Sequence, residues 1–402
     1  MKPANPPEYK EGVMKNSFYD IWTGVISPRL DEAIAKIESA GPGDVLAALE
    51  RTPATQEGFF ALLSEMPDNL ADMAQTAARR ITEQRFGGTV NLYIPLYLSN
   101  HCVNNCAYCW FAKSNPARRT VLTIERVEKE AALLRGEGYR SILLVSGEDP
   151  ARTGVEFIAD CVRLVKRMGF VFVGLEAEAM ETAEYRHLAQ AGLDSVTVYQ
   201  ETYDPAIYAE VHPSGPKKDY RRRMETLRRA AMAGIRSVGM GVLLGLADWR
   251  REAVALALHV KHMQKYHGSA MVSISFPRIH SAPGGFVPSH PVSNGQFIRM
   301  IAAMRLAFPD STLTLSTREA PDLRDRLFGM GINQVSAGSR TSPGAYTQNA
   351  GAEEQFPVAD ERTPAQVASA IRSHGLEWVF KDWDPNMAPA PMKEDVADGN
   401  HP

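Results

Sequence analysis

The run Val90-Asn91-Leu92-Tyr93-Ile94-Pro95-Leu96-Tyr97-Leu98-Ser99 leads directly into Asn100-His101-Cys102-Val103-Asn104-Asn105-Cys106-Ala107-Tyr108-Cys109. Its first part, from Val90 to Leu98, is apolar and reads as a β-strand, and the loop that follows carries three of the chain's four cysteines. Three residues separate the first two cysteines and two separate the next pair, so the thiolates are close enough to share one metal centre. They supply only three ligands. A structural zinc site closes with four protein ligands and would have to borrow His101 or Cys161, whereas a 4Fe-4S cluster on three cysteines leaves one iron open to a small molecule. A cluster that only carries electrons is a third reading of the same loop.

Outward from this loop, β-type runs alternate with helical ones. Thr123 caps a helix whose Ile124, Val127, Ala131 and Leu134 share a face, ended by Gly136 and Gly138. Apolar runs follow at 141–145, 170–175, 194–199, 237–244, 270–276, 312–316 and 333–336. Helical patterns lie between most of them: one through Cys161 to Met168, then about 220–233, 248–266, 296–308 and 321–330. With the run before the cysteines this makes eight strands. Parallel strands joined by right-handed crossover helices predict an α/β fold, a (β/α)8 TIM-type barrel with its active site at the carboxyl ends of the strands. The cysteine loop follows the first strand and lies on that face.

The barrel is predicted to span 87–346, preceded by an N-terminal helical extension (1–86) and followed by a helix-strand extension (347–402) packed on it. Residues 1 to about 17 are a loose lead-in. From Asp31 to Phe86 the pattern is helical, broken at Gly41-Pro42-Gly43, Thr52-Pro53 and Pro67, with Leu70, Met73, Ala74, Ala77, Ala78 and Ile81 on one face. Thr363-Pro364 opens a late helix, Gly375 closes it, and 376–380 reads as a short strand. The tail after Trp383 has no core-forming pattern and is expected to be disordered or draped over the surface.

With 402 residues, 44% apolar and 23% charged, the chain can bury a large core, and a net charge of −3 argues against an electrostatic nucleic-acid binder. No apolar leader and no run of ~18 uncharged apolar residues is visible, so no membrane partner is expected and a cytoplasmic location is. Three clustered cysteines and one lone one form no disulfide framework.

The cysteine spacing, with Tyr108 just before the third, resembles the signature of radical S-adenosylmethionine (SAM) enzymes. In that superfamily the open iron chelates SAM, and an electron from the cluster cleaves it to a 5'-deoxyadenosyl radical. The second strand ends Ser146-Gly147-Glu148-Asp149, similar to the superfamily's glycine-glutamate motif: glycine allows close backbone approach and an acid accepts from an ammonium. Glu176 and Glu178 at the third strand end are candidates for further SAM contacts, and Tyr199-Gln200-Glu201-Thr202 at the fourth offers polar groups for a ribose. Arg223 matches the arginine that pairs with the SAM carboxylate, while Arg221 and Arg222 read as a solvated helix face. The seventh strand ends Leu315-Ser316-Thr317-Arg318-Glu319. An arginine there is a natural clamp for a substrate carboxylate or, equally, half of a surface pair with Glu319. Ser336 and Ser339 can add hydrogen bonds to the same carboxylate. His259 and His262, one helical turn apart, lack a third ligand and read as packing residues, as does Cys161.

From Gly87 to Trp383 the chain resembles the 2-iminoacetate synthase (tyrosine lyase) family of thiamin biosynthesis. The resemblance rests on Pro95-Leu96-Tyr97-Leu98-Ser99-Asn100, Leu143-Leu144-Val145-Ser146-Gly147-Glu148, Tyr199-Gln200-Glu201-Thr202-Tyr203, Ser275-Phe276-Pro277-Arg278, Leu315-Ser316-Thr317-Arg318-Glu319 and Lys381-Asp382-Trp383-Asp384. It implies cleavage of the Cα–Cβ bond of L-tyrosine to 2-iminoacetate and p-cresol, with SAM cleaved to 5'-deoxyadenosine and methionine. It also implies a 4Fe-4S cluster on Cys102, Cys106 and Cys109, and SAM held by Tyr108, Gly147, Glu148, Glu176, Gln200, Thr202 and Arg223. The tyrosine carboxylate falls to Arg318 with Ser316 or Ser336, and Arg278 and Tyr97 to the substrate end. Implied partners are a flavodoxin- or ferredoxin-type electron donor and a thiazole synthase. One departure stands out: Trp110 follows the third cysteine where the family has glycine, which opens the reading to another aromatic amino acid such as tryptophan. No cysteine follows Cys161, unlike the hydrogenase-maturing tyrosine lyases with a second cluster.

Overall fold

Eight parallel strands close into a barrel in the computed structural model, which describes residues 17–280, 285–347 and 353–380. They are β1 (Thr89–Ser99), β2 (Ser141–Ser146), β3 (Phe172–Glu176), β4 (Ser195–Thr197), β5 (Ser237–Gly241), β6 (Met271–Ser275), β7 (Thr312–Leu315) and β8 (Gln334–Ser336). Each pairs in parallel with the next, and β1 closes the ring, with Ile94 opposite Ile142 of β2 and Leu92 opposite Val335 of β8. Closure leaves no unpaired edge among the eight. A ninth strand, β9 (Glu377–Val379), adds in parallel to the start of β1. The sequence-predicted (β/α)8 barrel is therefore present.

The helices form where their caps and apolar faces allow. The Thr123 hydroxyl accepts from the Arg126 N–H to cap Ile124–Gly136, which buries Val127, Ala131 and Leu134. Thr363 caps Pro364–Ser373 in the same way, and Gly375 leaves that helix with φ of 73°. Two helices within the barrel escape the sequence reading, as do the short Phe18–Ile21 and Trp22–Ile26 ahead of it. Thr182–Ala191 buries only Tyr185 and Leu188 and is opened by Glu184 accepting from the Glu181 N–H (2.7 Å), so it carries neither a wide apolar face nor a Ser/Thr cap. The other, Pro205–Val211, follows β4 and is capped by Asp204. The stretch read as one helix over 220–233 is two, Tyr220–Met224 and Thr226–Met232. At their junction the Glu225 carboxylate accepts from Ser17 Oγ and the Tyr19 N–H.

Helices from Leu30 to Phe86 pack outside the barrel, tied on by the Ala54 N–H to Leu306 O (2.9 Å) and Arg250 Nε to Leu63 O (3.0 Å). In Asp68–Phe86 the buried face is narrower than its sequence pattern: Leu70, Ala74, Ala78 and Ile81 are buried, but Met73 is 46% exposed. One apolar core joins Phe59 and Ile81 of these helices to Val335 of the barrel and Ile371 of Pro364–Ser373. The lower barrel interior departs from the usual packed layers of branched side chains. Ser141, Ser195, Ser237, Thr312 and Gln334, at the strand starts, line a cavity there, about 1130 Å³ together with the solvent at its opening. Among the described residues no helix is long and apolar enough to cross a membrane. The lead-in, the tail after Trp383 and the Lys381–Asp384 block lie outside the described residues.

Candidate active site

The loop after β1 is held by its own hydrogen bonds. The Arg119 guanidinium donates to four carbonyls around it, those of Asn100 (2.7 Å), Phe111 (2.9 Å), Ala112 (2.6 Å) and Asn115 (3.2 Å). Asn100 clasps the returning strand, donating to Arg118 O and accepting from the Thr120 N–H. The end of β2 abuts this loop. The Gly147 N–H donates to Ser99 O, the Val103 N–H to Glu148 O, and a Cβ on Gly147 would lie 2.3 Å from His101 O. Only glycine fits that contact.

Cys102, Cys106 and Cys109 line one wall of a cavity at the carboxyl ends of the strands, about 990 Å³ together with the solvent at its opening. Among the described residues no three Cys, His, Asp or Glu side chains are grouped to hold a single metal ion. Burial pushes the Cys106 thiol up to about 12 and raises Cys109 as well, so any metal they take must displace their protons. Two carboxamides face sulfurs: Asn104 Nδ2 is 3.6 Å from Cys102 Sγ and Gln355 Nε2 is 3.8 Å from Cys109 Sγ.

Charged groups from several strand ends complete the wall. Asn104 Nδ2 also donates to Glu148 (2.6 Å). Glu201 accepts from Lys217 Nζ (2.6 Å) and lies 3.5 Å from Arg223 Nη2; burial would raise its carboxyl, but these two cations hold it below the usual range. Burial and the neighbouring Glu201 push Glu176 up to about 7, against the pull of Arg318. Burial and the Lys217 ammonium push His212 down to about 3. The imidazole is therefore neutral. Its Nδ1 donates to Tyr208 O (2.8 Å), which leaves Nε2 to accept from the Tyr108 hydroxyl (2.7 Å).

A deeper cavity of about 580 Å³ shares Val145, Glu176, Tyr199, Pro277, Arg318 and Phe356 with the first. Ser316, Ser336, Ser339 and Tyr97 line it too, and Ser339 Oγ is buried without a partner among the described residues. Arg318 sits 3.4 Å from the centre of the Phe356 ring, and among the described residues it makes no ion pair. The surface pair with Glu319 does not form. Glu319 is bound instead by Arg278 and His280.

Several sequence candidates are turned elsewhere. Arg278 is buried against Glu319 and the Phe297 ring and does not reach either cavity wall. Gln200 and Thr202 are also off both walls, Thr202 donating to Glu252 (2.7 Å), while the Glu201 between them faces the thiols. Glu201 has φ of 69° and follows Ser195, Thr197 and Tyr199 on the inward face of the strand, whereas the resemblance points to its neighbours. Glu178 is buried off both walls as well. Trp110 turns away from the cavity and donates to Glu353 (3.0 Å). His259 accepts or donates at Tyr203 (2.8 Å) and stacks on Phe18, and Cys161 is fully buried in Val155–Arg167. Sequence reasoning missed Glu201, Lys217, Arg119 and Gln355. Of these, Glu201 alone lay inside a motif already singled out.

The radical SAM superfamily model matches residues 96–258, and the Biotin and Thiamin Synthesis associated domain matches 275–377. The 2-iminoacetate synthase of Escherichia coli K12 is 39% identical over 364 residues, 90% of this chain and 96% of that protein. The Salmonella typhimurium 2-iminoacetate synthase is 38% identical over 92% of this chain and 97% of its own length. The crystal structure of HydG, a maturase of the FeFe-hydrogenase, superposes with a TM-score of 0.84 at 31% identity, covering 90% of this chain and 81% of that one.

Proposed function

The chain belongs to the 2-iminoacetate synthase family of radical SAM enzymes, and on that premise we propose that it cleaves the Cα–Cβ bond of L-tyrosine to 2-iminoacetate and p-cresol for thiamin thiazole synthesis. The cofactors are a 4Fe-4S cluster and SAM; the cluster supplies the electron that splits SAM into methionine and a 5'-deoxyadenosyl radical. In balance, tyrosine, SAM, two electrons and one proton yield 2-iminoacetate, p-cresol, methionine and 5'-deoxyadenosine. The electrons come from a flavodoxin- or ferredoxin-type donor, and a thiazole synthase is the natural recipient of an imine that water would destroy.

In this reading Cys102, Cys106 and Cys109 hold the cluster. Glu148, oriented by Asn104, accepts from the SAM ammonium, while Glu201 and Arg223 face its polar parts with Tyr108 alongside. Arg318, with Ser316, Ser336 and Ser339, takes the tyrosine carboxylate, and fixing that end brings the amino group toward the thiol wall. A single observation carries the assignment: an arginine without an ion pair and a serine hydroxyl without a partner, among the described residues, share a cavity continuous with the three thiols. Such groups are costly to leave unmatched and point to an anionic ligand.

The test is product analysis with single amino acids. Reconstituted enzyme is expected to give p-cresol from tyrosine and no 3-methylindole from tryptophan. The reverse pattern would move the chain to another aromatic substrate.

A further inference from the structure

Residues 353–356 cross the mouth of the barrel and touch three parts of the site. Glu353 accepts from the Trp110 indole N–H (3.0 Å) and the Arg118 N–H (3.1 Å), which anchors the segment to the cysteine loop. Its main chain is pinned by the Gln355 N–H to Thr341 O (2.9 Å) and by Thr341 Oγ1 to Phe356 O (3.1 Å). The Phe356 ring lies against the Arg318 guanidinium. Between these anchors Gln355 projects onto the cavity wall, with Oε1 2.8 Å from the Tyr97 hydroxyl and Nε2 3.8 Å from Cys109 Sγ. An iron-bound thiolate accepts and cannot donate, so the amide nitrogen belongs on the sulfur side. The oxygen then receives the Tyr97 proton.

We propose that Gln355 is a positioning residue that joins the cluster to the substrate end of the site, donating to the Cys109 sulfur while holding the Tyr97 phenol on the cavity wall. An N–H···S bond draws electron density from the thiolate and favours the reduced cluster, so it raises the reduction potential. Held at Tyr97, the same carboxamide keeps 353–356 down and with it the Phe356 ring that orients Arg318. Trp110 has its own part here. A glycine at this position would offer Glu353 no indole N–H, so the residue that departs from the family's pattern fastens the segment bearing Gln355.

The inference rests on the cluster-and-SAM reading above, so wild type is measured beside each variant. Wild type, Gln355→Leu and Gln355→Glu are reconstituted anaerobically, checked for equal iron and sulfide content, and titrated potentiometrically by the electron paramagnetic resonance of the reduced cluster. Deoxyadenosine and p-cresol are then counted with SAM, dithionite and tyrosine. Leucine loses both bonds: the midpoint is expected to move to more negative potential, and more deoxyadenosine to form per p-cresol. Glutamate keeps the acceptor for Tyr97 but has no N–H for the sulfur, so its midpoint also moves negative while the product ratio stays near wild type. Tyr97→Phe is the mirror case, with the ratio disturbed and the midpoint little changed. If wild type neither loads a cluster nor cleaves SAM, the proposed function fails. If wild type does both and the midpoint and product ratio of Gln355→Leu match it, the role of Gln355 alone is overturned.

Discussion

Replacing Arg318 with lysine keeps a positive charge at the end of β7 and removes the planar fork. The guanidinium lies over Phe356, and the acid next to it in sequence, Glu319, is occupied by Arg278 and His280. Under the proposed function its partner in the deeper cavity is the substrate carboxylate, held through two parallel N–H···O bonds that a lysine reduces to one. A hydrogen bond to a charged group contributes ~1.5–3 kcal/mol, and ~1.4 kcal/mol is a factor of ten. Arg318→Lys should thus raise the KM for tyrosine ~10- to 100-fold, leaving the KM for SAM in place. Arg318→Gln differs in a diagnostic way. It also withdraws the charge that opposes the rise of Glu176, which burial and Glu201 already push to about 7, so any Glu176 limb of the pH profile moves to higher pH in the glutamine variant and not in the lysine one. The assay is p-cresol formation against tyrosine concentration across pH. An unchanged KM for tyrosine in Arg318→Lys would refute the carboxylate clamp.

Other perturbations test other parts. Gly147→Ala places a Cβ 2.3 Å from His101 O, a backbone contact that cannot relax locally; the cysteine loop should shift and iron per chain after reconstitution should fall, with far-ultraviolet circular dichroism unchanged. Cys161→Ala, deep in Val155–Arg167, should leave iron content and activity intact and cost ~1 kcal/mol of stability, read by thermal unfolding; lost iron would make it a ligand. Glu252 is buried and pushed up to about 7 from 4.5. Its folded form therefore holds an extra proton between those values, and stability falls as pH rises through that window, by up to ~1.4 kcal/mol per pH unit. Glu252→Gln removes the effect, so its Tm relative to wild type should grow more favourable from about pH 5 to about pH 8. A pH-independent difference would exclude a neutral Glu252 at the low end.

The barrel was legible because each strand announces itself as a short apolar run and each crossover as a capped, periodic one, and because the cysteine loop falls directly after the first strand. The exceptions have physical causes. Thr182–Ala191 has too narrow a buried face to stand out, and Met73 shares a helical period with buried neighbours that cover a smaller sector than the pattern implies. At the site, the inward parity of Ser195, Thr197 and Tyr199 runs on to Glu201, which takes the place on the wall that the resemblance implies for Gln200 and Thr202. The resemblance implies a substrate role for Arg278; only the fold reveals Glu319 beside it. Lys217 and Gln355 act across gaps in the chain that no local pattern records, the second of them 246 residues from the cysteine it faces.

The central claim is tested most directly by an anaerobic incubation of cluster-loaded enzyme with SAM, dithionite and L-tyrosine, following 5'-deoxyadenosine, p-cresol and the glyoxylate left by hydrolysed imine. All three are expected together, and all are expected to vanish in Cys106→Ala. A fully loaded cluster that leaves SAM uncleaved, or cleaves it without releasing p-cresol, would contradict the account.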